Sequence, residues 1–219
     1  MRVDVATEDD AEAVIDMLKK SFFPNEPLNA SIGLVGADGG CPELEAYCRV
    51  AVPTGLSLCA RAGPEAGADA EAVVGVILNE VIRRGEGPRP EDARVREGDS
   101  KFDKILAVNH AAEVAADVFA AHPDVQRALD VKILATDPTR TKSGIATALM
   151  ARTLELARAQ GLPLVRCVCS GAFSARVAER SGFSRLGGVA YDAFLGPDGA
   201  PVFSPPPPHT AITVWALRL

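Results

Sequence analysis

Arg140, Lys142, Ser143 and Gly144 stand together in "DPTRTKSGIATALM", residues 137–150, between the apolar run "VKILAT" and an amphipathic helical pattern. A strand that stops at Asp137-Pro138 and a helix that starts near Gly144 leave several backbone N–H groups without carbonyl partners, all facing one space. The helix dipole and the turn amides favour an anion there, phosphate above all. Arg140 and Lys142 add charge at the rim, and Gly144 and Ala146 leave room for close approach. The whole chain carries a net charge of −6, so this basic loop is a local feature. A Walker loop, G-x-x-x-x-G-K-S/T, is absent, and so is a G-x-G-x-x-G fingerprint after a first strand.

Five cysteines, Cys41, Cys48, Cys59, Cys167 and Cys169, are odd in number and unevenly spaced, which does not suggest a disulfide framework. Cys167 and Cys169 alternate within an apolar run and read as buried thiols rather than a metal pair. No metal site is expected. With 219 residues, 47% hydrophobic and 24% charged, the chain falls in the ordinary globular range and is read as a single domain, 1–219. The acidic balance disfavours nucleic acid and anionic membranes as partners. The N-terminus has no secretory pattern and no stretch is apolar enough to span a bilayer, so a cytoplasmic protein, monomeric by default, is expected.

The elements that must position this chemistry follow from periodicity. "VDVAT" reads as a first strand, and Thr7 caps a helix with Ala13, Val14, Met17 and Leu18 on its apolar face. Prolines on both sides of Glu26 make "SFFPNEPLN" a rigid loop or a short broken helix. A helix around "CPELEAYCRVAV" and two antiparallel strands, "LSLCARA" and "EAVVGVILNEVI", come next. Residues 83–100, charged and rich in Gly and Pro, read as a mobile surface loop. "KFDKILAVNHAAEVAADVFAAH", 101–122, reads as one helix by its spacing. After it come the strand "ALDVKILAT", the helix 144–160, the strand "LPLVRCVCS", the helix "AFSARVAERSGF" closed by Gly182, and two strands separated by the turn "GPDGAP".

Residues 141–146, "TKSGIA", fit the second half of the pyrophosphate loop of acyl-coenzyme A transferases, Gln/Arg-x-x-Gly-x-Gly/Ala, and depart from it at Thr141. With "SGIATALM" and "SARVAERSGF" in the order strand, loop, helix, strand, helix, strand, the chain resembles the GCN5-related N-acetyltransferase (GNAT) superfamily. Within it, "NEPLN", "KFDKIL", "LDVKILATD", "CSGAFSARVAERSGF" and "PPPPHTAITVWA" are similar to the insect arylalkylamine (dopamine) N-acetyltransferases over nearly the whole length.

The resemblance implies an α/β (α+β) fold with a mixed, mostly antiparallel sheet, splayed between the strand ending at Thr136 and the strand ending at Ser170. It implies acetyl-CoA as cosubstrate. The coenzyme would be held by backbone near Leu134, Ala135 and Thr136, by the loop Arg140, Thr141, Lys142, Ser143, Gly144, Ile145 and Ala146, and by Ser174. Carried over by motif, Glu26 is the general base, and Ser170 and Ser174 assist substrate and coenzyme chemistry. The physics agrees, because an alkylamine near pH 7 is mostly ammonium and must lose a proton before it can attack a thioester. Glu26, close to Phe22 and Phe23, is expected in a partly apolar pocket with a raised pKa. Ser174 can protonate the leaving thiolate, while Ser170 orients the amine, relays its proton or caps the following helix. His110 and His209 fall in the expected amine pocket with Phe22 and Pro27, and Phe173 and Tyr191 offer an aromatic wall.

The expected activity is therefore transfer of acetyl to an arylalkylamine of the dopamine, tyramine, octopamine, tryptamine or serotonin type. One alternative keeps the chemistry and changes the acceptor to a polyamine, another aliphatic amine or a protein N-terminus. A second is a non-catalytic acyl-CoA binder, for which Thr141 is the support.

Overall fold

The computed structural model describes residues 1–140 and 143–219; the expectations for Thr141 and Lys142 lie outside the described residues. Seven strands form one sheet in the order β1-β2-β3-β4-β5-β7-β6. They are β1 (Arg2–Val5), β2 (Leu58–Arg61), β3 (Val73–Arg83), β4 (Arg127–Thr136), β5 (Leu164–Cys169), β6 (Ser184–Ala190) and β7 (Ala211–Arg218). Every neighbouring pair is antiparallel except β4 and β5.

Helix α1 (Ala11–Ser21) is entered through a 3-10 turn that Asp10 closes by accepting the Thr7 N–H at 2.9 Å. Its buried face is Val14, Ile15, Met17 and Leu18, and Ala13 is exposed. The apolar stripe is thus rotated slightly from the spacing expected. A short helix α2 (Pro27–Ile32) and α3 (Pro42–Ala51) complete the opening. Both begin at Pro, whose fixed φ and missing N–H suit the first helical position.

Helices α1 and α3 bury Leu18, Phe23 and Cys48 against Val76, Leu78 and Ile133. The opposite face of the sheet, with Leu58, Ile77 and Val131, is covered by α6 (Ile145–Ala159). There the approach is close: a Cβ on Gly75 would stand 2.5 Å from Ile145 Cγ2. Helix α4 (Lys101–Ala115), started by a reciprocal Ser100–Asp103 capping box, packs Val108 and Ala112 on Ile212 and Val214. The single helix expected over 101–122 breaks at Ala116 and Asp117 into α4 and a four-residue helix α5 (Val118–Ala121), and α7 (Ala172–Arg180) follows β5.

Residues 83–100 form a chain of turns, but they are not loose. The Arg84 guanidinium donates to the carbonyls of Phe119, His122 and Val125, each at 2.8 Å, and His110 Nδ1 lies 3.3 Å from the Asp92 carbonyl. These bonds tie Arg84 and Asp92 to α4 and α5, while the segment lies largely at the surface, as expected of a surface loop. Among the described residues, no helix is long and apolar enough to cross a membrane.

Candidate active site

Strands β4 and β5 share only three rungs, Leu129–Val165, Asp130–Arg166 and Val131–Cys167. Beyond them β4 stays paired with β3 as far as Thr136, and β5 stays paired with β7 as far as Cys169. The sheet therefore divides between two strands that keep their outer partners. On the β3 side the register passes from Leu78–Ile133 to Asn79–Val131, leaving Lys132 as an extra residue of β4. Such a bulge increases local twist and bends the strand, and it sits where β4 leaves β5. Among the described residues, no strand lies beside the inner edge of residues 132–136, which includes Leu134, Ala135 and Thr136.

A cavity of about 870 Å³ lies along this opening, between the strands, α4 and the chain of turns that follows β3. Of the residues expected at the amine site, Glu26, Ser170, His110 and Phe22 line it, and Pro27 does not. Glu26 caps α2: its Oε2 accepts the Asn29 N–H at 2.7 Å, and its own N–H donates to the Phe22 carbonyl at 2.8 Å. The residue is only 7% exposed, and Oε1 makes no hydrogen bond. Burial raises the Glu26 pKa, opposed by the neighbouring Ser170 hydroxyl and the amides of Asn29 and Leu28. A carboxyl held by one oxygen, with the other unpartnered at a cavity wall, is disposed to receive a proton.

Alternation along β5 sorts its side chains. Arg166, Val168 and Ser170 line the cavity, while Cys167 and Cys169 face the core under α6 with their sulfurs 3.9 Å apart. All five thiols are free and buried, and burial pushes Cys48 and Cys59 up to about 12. Such thiols are poor nucleophiles.

Ser170 is not the helix cap that one reading of the sequence suggested. Gly171 holds that position, and a Cβ on it would stand 2.6 Å from His209 Nδ1 and 3.0 Å from Pro27 Cγ. His209 lies off the cavity wall and accepts the Ala172 N–H through Nδ1 at 3.2 Å, while Phe173 meets its ring edge-on. Ser174 is exposed, and its hydroxyl donates to the Gly171 carbonyl at 3.0 Å. Tyr191 is in the core beside Phe203 rather than in an aromatic wall. The aromatic part of the cavity is instead Phe22, Tyr47, Phe102 and Phe119.

Sequence reasoning missed the charges at the cavity floor. Arg166 donates through Nε to Asp130 and through Nη1 to Glu113 of α4, both at 2.7 Å. Lys132, on the bulge, pairs with Glu80 and lies over the Tyr47 ring, 4.5 Å from its centroid. The available signal was charge inside otherwise apolar runs, Asp130 and Lys132 in "ALDVKILAT" and Arg166 in "LPLVRCVCS".

At the mouth of α6, Gly144 adopts φ +79°, a left-handed conformation with no steric cost for glycine. Having no side chain, it cannot cap the helix, so first-turn amides remain for an outside acceptor. Ser143 donates to the Arg140 carbonyl at 2.5 Å, which tightens the loop, and Arg140 is exposed.

No family model matches the sequence. The crystal structure of arylalkylamine N-acetyltransferase 2 from Aedes aegypti superposes with a TM-score of 0.86 at 25% identity, over 99% of this chain and 98% of that one. The fold is that of the GCN5-related N-acetyltransferases. A second GNAT structure, the Drosophila melanogaster polyamine N-acetyltransferase that forms N-acetylagmatine, superposes at 0.84 and 25% identity over 100% and 99% of the two chains. Arabidopsis thaliana NAA60 in complex with acetyl-CoA shares the GNAT fold at 0.58 and 12% identity, over 100% and 99%. The chain thus resembles the insect arylalkylamine N-acetyltransferases in three dimensions as well as in sequence.

Proposed function

We propose that this protein transfers the acetyl group of acetyl-CoA to a small primary amine by direct attack in a ternary complex. The observation that carries this reading is Glu26, buried and bonded through Oε2 alone, on the wall of the cavity at the β4–β5 opening. Coenzyme binding is supported by two features that suit its two ends. The α6 amides with Arg140 suit a pyrophosphate, and the unpaired edge of residues 132–136 suits a thioester carbonyl and an extended pantetheine arm. Glu26, directly or through a water, takes a proton from the ammonium. The freed lone pair then attacks the thioester carbon, the C–S bond breaks, and the second proton of the acylated nitrogen balances the one delivered to the thiolate, leaving amide, free thiol and one proton on Glu26. Ser174 is the proposed relay to sulfur, giving its hydroxyl proton and regaining one from the nitrogen, for which its hydroxyl must turn away from the Gly171 carbonyl. Ser170, beside Glu26, orients the amine.

An arylalkylamine acceptor of the dopamine, tyramine, octopamine, tryptamine or serotonin type is supported by Phe22, Tyr47 and Phe102 on the same cavity wall. A polyamine or agmatine-like acceptor is the second reading, supported by the carboxylates of Asp130 and Glu113 at the floor. Initial rates of thiol release with tryptamine, dopamine, tyramine, octopamine, spermidine and agmatine, for wild type and Glu26→Ala, test both. Turnover of aromatic amines that falls at least about tenfold in the variant supports the acceptor class and the base. Acetyl-CoA binding by calorimetry without turnover of any amine overturns the enzymatic reading in favour of a binder.

A further inference from the structure

Ser170 belongs to no helix or strand. It lies between the last residue of β5 and the cap of α7, where the strand has already lost its β4 partner. A hydroxyl that must stay beside the Glu26 carboxyl needs its backbone held by something else. That something is Tyr191, which donates its phenol proton to the Ser170 carbonyl.

The tyrosine is well placed to act as a fixed post. It is 3% exposed, its ring stands 6.2 Å from that of Phe203, and its own N–H donates to the Thr210 carbonyl at 3.1 Å. Phe194 stacks on Phe203 behind it. The contact spans 21 residues and ties the end of β6 to the end of β5, so it bridges the half of the sheet that is anchored by β7. Tyr191 does not line the cavity and has no direct access to a substrate.

We propose that Tyr191 is a positioning residue, which fixes the Ser170 carbonyl and so holds the Ser170 hydroxyl at the cavity wall it shares with Glu26. The inference rests on the role assigned to Glu26 and Ser170, and extends it to a residue that never meets substrate. The phenol cannot serve as an acid itself: burial, then the Glu26 and Cys169 charges, hold its pKa well above the usual phenol range. The groups that face Glu26 are the Ser170 hydroxyl and the amides of Asn29 and Leu28, with Tyr191 at longer range. Among the described residues no cation acts on it, so the hydroxyl is one of few influences favouring its ionised form.

The test is a double-mutant cycle of Tyr191→Phe and Ser170→Ala, read as kcat and as the acid limb of the kcat/KM profile. Tyr191→Phe keeps the ring in its core and removes only the hydroxyl. In the wild-type background the expected loss of kcat is roughly five- to tenfold, with the acid limb moved to higher pH. In the Ser170→Ala background the same change has little further effect, because the group it positions is gone. Equal losses in both backgrounds, or a full-activity Tyr191→Phe, overturn the inference. A lowered unfolding midpoint with an unmoved acid limb also overturns it, in favour of a purely structural tether. If Ser170→Ala alone is fully active, the role assigned to Ser170 fails, and the positioning role fails with it.

Discussion

Asp130 and Arg166 face each other across the middle of the three rungs that join β4 to β5, and their side chains close that rung with an Nε–Oδ1 hydrogen bond of 2.7 Å. One residue further on, the strands part. The pair, with Glu113 on the second guanidinium arm, stands at the hinge of the opening that the coenzyme and amine would share. Burying three charges is expensive, and their mutual geometry offsets the cost only while all three remain.

Arg166→Met leaves two carboxylates buried together. The expected loss is about 3–5 kcal/mol of stability near neutral pH. Burial raises the Glu113 pKa even in the wild type, and loss of the guanidinium raises it further. A raised carboxyl pKa gives stability that is full below the unfolded value and falls as pH climbs through the folded value. Chemical denaturation of the variant is therefore expected to show partial recovery on going from neutral to mildly acidic buffer.

Glu26→Gln is expected to trade activity for stability. Loss of the base lowers kcat/KM by about a hundredfold. Because folding raises the Glu26 pKa, the wild type loses stability as pH rises above the ordinary glutamate range, and the amide does not. Thermal unfolding across the pH range checks this: the midpoint of the variant exceeds that of the wild type by a margin that widens upward in pH. A constant margin contradicts it.

The two serines should separate. Ser170 lines the cavity and favours the ionised carboxyl, whereas Ser174 is exposed and bonded back to Gly171. Ser170→Ala is expected to move the acid limb of the rate profile upward. Ser174→Ala should leave that limb in place and act on kcat alone, most clearly with acyl donors whose thiolate is a poor leaving group.

Gly171→Ala puts a methyl 2.6 Å from His209 Nδ1 and 3.0 Å from Pro27 Cγ. The backbone there is extended, at φ −148°, so the clash and not the torsion is at issue. Relief requires moving α7 away from the loop that carries Glu26. The expected cost is about 1–3 kcal/mol, with loss of kcat alongside, measured by denaturant unfolding and initial rates.

Much of this was legible in the sequence. The helical segments and all seven strands follow from periodicity, capping residues and turn chemistry, with α4 and α5 read as one helix and α2 as a rigid loop or short broken helix. Glu26, Ser170, His110 and Phe22 converge on one cavity because the prolines fix the first and strand alternation fixes the second. Other features are properties of pairing and not of any one segment. The bulge at Lys132 exists only in register with β3, and the Arg166 cluster only once β4 and β5 are parallel neighbours. Ser174 and His209 sit near the expected region, but local hydrogen bonds, invisible in one dimension, turn them toward Gly171 and Ala172. The break between α4 and α5 was missed because the apolar spacing runs on through Ala116 and Asp117, and only the Asp117 cap on the Phe119 N–H marks it.

Arg140 tests the coenzyme end. Arg140→Ala is expected to raise KM for acetyl-CoA about fivefold at low ionic strength, for a loss near 1 kcal/mol at an exposed site. The difference should shrink toward unity in about 0.5 M salt, where exposed charges are screened. A salt-independent change would point to altered loop packing instead.

Sheets ordinarily keep their unpaired backbone at the rim, where proline, charge or a covering loop guards it against sticking to other chains. In this fold a second edge lies inside the sheet, along residues 132–136, where β4 has left β5 while each strand keeps its outer partner. Flanked by the two halves of its own sheet, that backbone is turned from a rim in need of guarding into an inward row of donors and acceptors.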